Sequence, residues 1–136
     1  MPDLARAGAG LTAGKGEKVG TFKLVGLHHV QLAMPEGRED QARTFYAGQL
    51  GLTEVPKPDE LAGRGGVWFV GEDIALHLGV ETPFHPARKA HPAFAVDDLD
   101  AAWREFGQPE ITTLPGLRRF YIADPFSNRI EIVQPD

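Results

Sequence analysis

One layout occurs twice along this chain, and that repetition limits the fold to two halves built alike. The first copy runs Gly26-Leu27-His28-His29-Val30-Gln31-Leu32-Ala33, then a helix-like stretch, then Val67-Trp68-Phe69-Val70 and Ile74-Ala75-Leu76-His77-Leu78-Gly79-Val80. The second runs His91-Pro92-Ala93-Phe94-Ala95-Val96, another helix-like stretch, then Arg119-Phe120-Tyr121-Ile122 and Arg129-Ile130-Glu131-Ile132-Val133. In each copy a His opens the first strand and a His or Glu sits midway along the last. The spacings are similar, 48 residues from His29 to His77 and 40 from His91 to Glu131. One metal held between two related half-domains accounts for all four.

The alternation of apolar and polar residues predicts strands at 24–34, 52–56, 67–70 and 74–80 in the first half. The second half has its strands at 93–96, 110–114, 119–123 and 129–134. Residues 38–49 read as a helix from Ala42, Phe45, Tyr46 and Gln49, with Gly51 suited to its C-terminal cap. A second helix follows Asp97 or Asp98 as N-cap, carrying Leu99, Ala102, Trp103 and Phe106 on one face. Each half is thus strand–helix–strand–strand–strand. The expected class is α+β: two βαβββ modules, about 24–80 and 91–134, forming a cupped mixed β-sheet with helices on its outer face. Residues 1–21, rich in Gly, Ala and Lys, read as a disordered tail before a single domain at 22–136.

Alternation also sorts the candidate residues by face, because successive strand side chains point to opposite sides. His29 and Gln31 share a side, as do Ala75, His77 and Gly79, and Arg129, Glu131 and Val133. Each set lies opposite the large aliphatic residues. His28 has the wrong parity, and His85 lies in the connector between Pro83 and Pro86.

Composition narrows the chemistry. The chain has no cysteine, so a thiolate nucleophile, a disulfide framework and a thiolate metal site are all excluded. A metal here must use His, carboxylate and water, which suits Zn, Ni, Fe, Mn or Co. A net charge of −5 gives no reason to expect nucleic acid or an anionic membrane as partner. No apolar run approaches the roughly 18 residues of a membrane span. The start of the chain shows no signal-peptide pattern, so a cytoplasmic location is the default expectation.

Several segments together resemble the vicinal oxygen chelate superfamily, which includes glyoxalase I, fosfomycin-resistance thiol transferases, extradiol dioxygenases and bleomycin-resistance proteins. They are His28-His29-Val30-Gln31-Leu32, Thr44-Phe45-Tyr46 with Leu50-Gly51-Leu52, His91 to Leu99, and Phe120 to Glu131. The resemblance covers about residues 24–134. It implies that His29, His91 and Glu131 are metal ligands, with His77 at a fourth, more variable position. Glyoxalase I enzymes generally carry a carboxylate where this chain has His77. In many dimeric relatives the cup is completed across the subunit interface, so a homodimer is expected.

The chemistry so implied is a divalent metal that accepts vicinal oxygens of a small substrate. The leading expectation is a glyoxalase-like lyase or isomerase in which Glu131 moves a proton between adjacent carbons. Gln31, Trp68, Arg118, Arg119 and Tyr121 are candidate substrate-binding residues. A thiol or water transferase that modifies an antibiotic or epoxide is the second expectation, with Arg88, Arg118 and Arg119 available to an anionic group. An extradiol-type dioxygenase would need a two-His, one-carboxylate triad with three open positions, which a bound His77 would alter. A non-catalytic drug-sequestering protein would use Trp68, Phe69, Phe120 and Tyr121 as stacking surfaces.

Overall fold

The computed structural model describes residues 20–136, and all but the last two residues of the expected tail at 1–21 lie outside that range. Strand β1 is Val30–Met34, followed by a helix that begins as Glu39–Ala42 and continues as π-helical turns over Arg43–Gln49, together α1. Strands β2 (Thr53–Val55), β3 (Val67–Gly71) and β4 (Ile74–Val80) complete the first module, with a 3-10 stretch at Asp59–Arg64 between β2 and β3. The second module holds β5 (Ala93–Ala95), α2 (Leu99–Glu105), β6 (Thr112–Leu114), β7 (Leu117–Ala123) and β8 (Arg129–Pro135). Among the described residues no helix is long and apolar enough to cross a membrane.

The two modules form two four-stranded mixed sheets of identical topology, β1-β4-β3-β2 and β5-β8-β7-β6. In each, the first strand runs parallel to the fourth and the other pairings are antiparallel. The two-module α+β fold read from the sequence is the one observed.

Register makes the repeat exact at the residue level. Gln31 and Trp68 flank His77 in the first sheet, and Ala93 and Tyr121 flank Glu131 in the second. His77 is therefore the counterpart of Glu131, and Trp68 that of Tyr121. His29 stands two residues before Gln31, and His91 two before Ala93, so these histidines are counterparts as well.

Burial follows parity. Leu32, Met34, Val67, Phe69, Leu76 and Leu78 of the first sheet join Phe120, Ile130 and Ile132 of the second in one core. The helices contribute Phe45, Tyr46 and Leu99 to it. Phe45 and Tyr46 are adjacent in sequence yet both buried, which the wider π-helical turn accommodates, with Leu50 N donating to Phe45 O at 2.9 Å. Asp98 caps α2 as expected, accepting from Ala101 N at 3.0 Å.

One expectation fails at the start of β1. Residues 24–29 alternate as a strand does but pair with nothing, so the strand begins at Val30. Alternation marks a chain able to be a strand; a ladder partner makes it one.

A buried polar cluster joins the modules. The Asp124 carboxylate accepts from Tyr46 Oη at 2.7 Å, Phe126 N and Asn128 N at 2.8 Å, and Asn128 Nδ2 at 3.0 Å. Asn128 Nδ2 also donates to Ala33 O on β1, and Asn128 Oδ1 accepts from Ala87 N in the connector. Burial, then the Asp124 charge, pushes the Tyr46 phenol well above its usual value of 10.0. Gly66 serves a different need: its φ is +85°, and a Cβ there would fall 2.3 Å from the Leu78 carbonyl oxygen.

Asp124→Ala should cost about 2–4 kcal/mol in urea denaturation, since it orphans several buried donors, while Tyr46→Phe should cost about 1–2 kcal/mol. Because the folded phenol resists ionisation, Tyr46 should make the fold less stable as pH rises above 10.0, an alkaline loss that Tyr46→Phe should reduce. Gly66→Ala should cost about 2–4 kcal/mol through left-handed strain and the clash with Leu78.

Candidate metal centre

The four candidate ligands lie at equivalent positions of the two modules, and the structure brings them together two by two. In the first module the His29 and His77 rings stack 4.2 Å apart, and the Trp68 indole stacks on the other face of His77 at 3.7 Å. His77 is buried while His29 is exposed, immediately before β1. Burial, then the charges of His29 and His28, lowers the His77 pKa below its usual 6.5, so the ring keeps a free lone pair at neutral pH.

Gln31 shares this face, and Gly79 makes room for it: a Cβ at Gly79 would sit 2.6 Å from Gln31 Nε2. A cavity of about 330 Å³ opens beside Gln31 and Trp68, bounded further on by Lys57 and Arg64.

In the second module His91 Nε2 lies 2.9 Å from Glu131 Oε1, and His91 Nδ1 lies 2.8 Å from the Lys89 carbonyl. The carbonyl can only accept, so Nδ1 carries the hydrogen. In the neutral ring the Nε2 lone pair then faces a carboxylate oxygen, two acceptors in contact. A proton or a cation has to lie between them. Two metal bonds of about 2.0–2.1 Å at a right angle place their donor atoms about 2.9 Å apart, so this spacing suits a shared divalent ion. The Nδ1–H to backbone carbonyl contact is the usual orienting bond of a ligating histidine.

Arg119 Nη1 lies 3.6 Å from Glu131 Oε2, and Arg119 Nε is buried with no hydrogen-bond partner. The guanidinium of Arg129 sits 3.9 Å from the Tyr121 ring centroid, and that of Arg119 5.4 Å from it. Tyr121 meets the His91 ring edge to face at 5.3 Å. The second module thus brings His91, Glu131, Arg119 and Tyr121 together.

Other expectations need correction. Within one chain the His29/His77 pair and the His91/Glu131 pair do not converge: among the described residues no three His, Cys, Asp or Glu side chains surround a common metal position. Arg118 has the parity of Phe120, and its guanidinium donates to Asp100 on α2 at 2.9 Å, so it leaves the site. Arg88, in the connector, has an exposed side chain, and among the described residues only its backbone carbonyl is engaged, by Arg129 Nη1 at 3.5 Å. Of the aromatics considered for stacking, Phe69 and Phe120 are fully buried in the core. His28, set aside on parity, stands 3.0 Å from His29, Nδ1 to Nδ1, because strand parity does not govern the coil before Val30. Arg129 was missed for its cation–π contact, although its place two residues before Glu131 on β8 signalled the shared face.

Comparison with known proteins agrees with this architecture. Residues 26–132 match the family model of the glyoxalase/bleomycin resistance protein/dioxygenase superfamily. A solved Bacillus anthracis protein ascribed to the glyoxalase family is 42% identical, with a TM-score of 0.77 over 85% of this chain and 98% of its own. A glyoxalase/dioxygenase from Nostoc punctiforme is 24% identical, with a TM-score of 0.67 over 90% of this chain and 99% of its own. The fosfomycin resistance protein FosX of Listeria monocytogenes shares the fold at 15% identity, with a TM-score of 0.64 over 84% of this chain and 94% of its own. Among curated proteins no relative matches. By the family model, the identity to the Bacillus protein and the repeated βαβββ topology, the chain belongs to the glyoxalase/bleomycin resistance protein/dioxygenase superfamily.

Proposed function

We propose that this protein is a metal-dependent enzyme of the glyoxalase type, a lyase or isomerase acting on a small substrate held through two adjacent oxygens. The observation that carries the reading is the His91–Glu131 contact, two metal-competent atoms 2.9 Å apart with the imidazole's other nitrogen committed to Lys89. His29 and His77 would supply the remaining donors. Three imidazoles and one carboxylate, with no thiolate, suit Zn²⁺, Ni²⁺, Fe²⁺, Mn²⁺ or Co²⁺. A divalent ion there would supply Lewis-acid polarisation of two neighbouring substrate oxygens.

Since the two pairs do not converge within a chain, the reading includes a homodimer in which His29 and His77 of one copy meet His91 and Glu131 of the other. Each dimer then holds two such sites. The rest of the chemistry belongs to the protein's own side chains. Glu131 is the general base and then the general acid, taking a proton from one substrate carbon and returning it to the next. Arg119, beside its Oε2, steadies the carboxylate while it is charged. Gln31 and Trp68 border the cavity where the rest of the substrate would lie.

The unpartnered Nε of Arg119 favours a second reading, a thiol or water transferase acting on a substrate with a carboxylate or phosphonate. The two readings separate on substrate: the first turns over hemithioacetals or hydroxyketones, the second opens epoxides.

Protein purified without chelator or affinity tag should carry about one transition metal per chain by elemental analysis. Glu131→Gln should keep the fold, lower bound metal and abolish turnover more completely than it weakens metal binding. Unchanged metal content in both Glu131→Gln and His91→Ala would sink the site. Mixing His29→Ala chains with Glu131→Gln chains should restore metal to one site per mixed dimer, since one of its sites then draws only intact residues. A site confined to one chain would gain nothing from mixing.

A further inference from the structure

The cavity beside Gln31 and Trp68 carries a charge that the chain as a whole does not. It holds about 330 Å³, and its border includes Lys57 and Arg64 but no Asp or Glu. The protein's formal net charge is −5, so two cations at one cavity reverse the sign locally and concentrate anions there. Both cations have capacity to spare. The ion pairs among the described residues engage Arg43, His91, Arg118 and Arg119, not Arg64, whose side chain is exposed. Lys57 Nζ donates to the Gly65 carbonyl, which leaves two of its three hydrogens for another acceptor.

The backbone holds the two cations at this place. Both lie between β2 and β3, where the 3-10 stretch Asp59–Arg64 ends in Gly65 and Gly66. These glycines have left-handed φ of +73° and +85°, a turn that leads from Arg64 directly into β3. Gly66 N donates to Glu39 Oε2 at 2.8 Å, which ties the turn to α1 and engages that neighbouring carboxylate. Asp59 and Glu60, in the first turn of the same stretch, do not border the cavity. The cavity's other end is the candidate centre. Along β4 the face that presents His77 next presents Gly79, two residues or about 7 Å further on. A Gly79 Cβ would fall 2.6 Å from Gln31 Nε2, so the missing side chain leaves the space open. Trp68 belongs to both places, stacked on His77 at 3.7 Å and bordering the cavity.

We propose that Lys57 and Arg64 hold an anionic group, a carboxylate or a phosphate, on the end of the substrate remote from its two chelated oxygens. The subsite rests on the metal-enzyme reading above and narrows its substrate class to molecules with an anion about 7 Å or more from the chelated pair. Arg64 offers the planar fork that suits either oxyanion, and Lys57 a point charge beside it. The subsite is separate from Arg119, which lies against Glu131 in the second module.

Isothermal titration calorimetry with phenylacetate, phenyl phosphate and uncharged benzyl alcohol tests the subsite without requiring turnover. The protein as purified should bind one of the two anions about 10-fold or more tightly than benzyl alcohol, and the preferred anion identifies the group. Arg64→Gln should remove most of that margin and Lys57→Gln/Arg64→Gln all of it, with unchanged far-ultraviolet circular dichroism spectra. Arg104→Gln, the same change of charge on α2, should keep the margin. Equal affinity for all three probes in the wild type overturns the subsite, and so does a loss matched by Arg104→Gln, which reports bulk charge alone. A margin lost in Arg119→Gln but kept in the double variant places the anion beside Glu131 and also overturns it. Anion binding that needs Lys57 and Arg64 in a protein that never carries metal supports the subsite and removes the metal-enzyme reading. Bound metal and turnover in a protein whose anion binding ignores both substitutions overturn the subsite and leave that reading standing.

Discussion

The buried carboxylate of Asp124 is the joint on which the two halves turn. It takes hydrogen bonds from a tyrosine on the first module's helix and from the backbone and side chain of its own hairpin loop. Asn128 extends the reach to β1 and to the connector. Burying a charge is costly unless its oxygens are filled, and here four donors fill them. That closed network fixes the β7–β8 loop, hence the start of β8, hence the depth at which Glu131 emerges. Hydrophobic packing between the modules is non-directional; this cluster supplies the register.

Much of this was legible from residue order. The period of two placed Gln31, His77 and Glu131 on faces opposite the large aliphatic residues, and the ladder registers agree. The internal repeat located β1 and β5 as counterparts before any pairing was known. What residue order could not supply was the identity of partners. Residues 24–29 have the pattern of a strand without the neighbour that would make them one. Arg118 and Arg119 look equivalent in sequence, yet one residue of parity sends the first to Asp100 and the second to Glu131. The π-helical turn escaped notice because Phe45 and Tyr46 also fit an ordinary helical stripe.

The candidate centre was legible as a set of four but not as two pairs. Spacing along a chain constrains which side chains are metal-competent and on which face they lie. It is silent on whether two faces of one protomer look at each other. The contact geometry adds a detail on one side, since the Lys89 carbonyl occupies His91 Nδ1 and Nε2 faces Glu131. On the other side the donors are both imidazoles. The repeat has therefore diverged at these positions, one half carrying a His and a carboxylate and the other two imidazoles.

The parallel stack of Trp68 on His77 has an optical consequence. Indole emission is sensitive to whatever lies against the ring, and here that is the His77 imidazole. Trp103, the other tryptophan, is tied by its Nε1 to the Pro109 carbonyl beyond α2, away from either half-site. The chain thus carries one indole stacked on His77 and one held by a backbone carbonyl, so a change at His77 should alter the emission of the first.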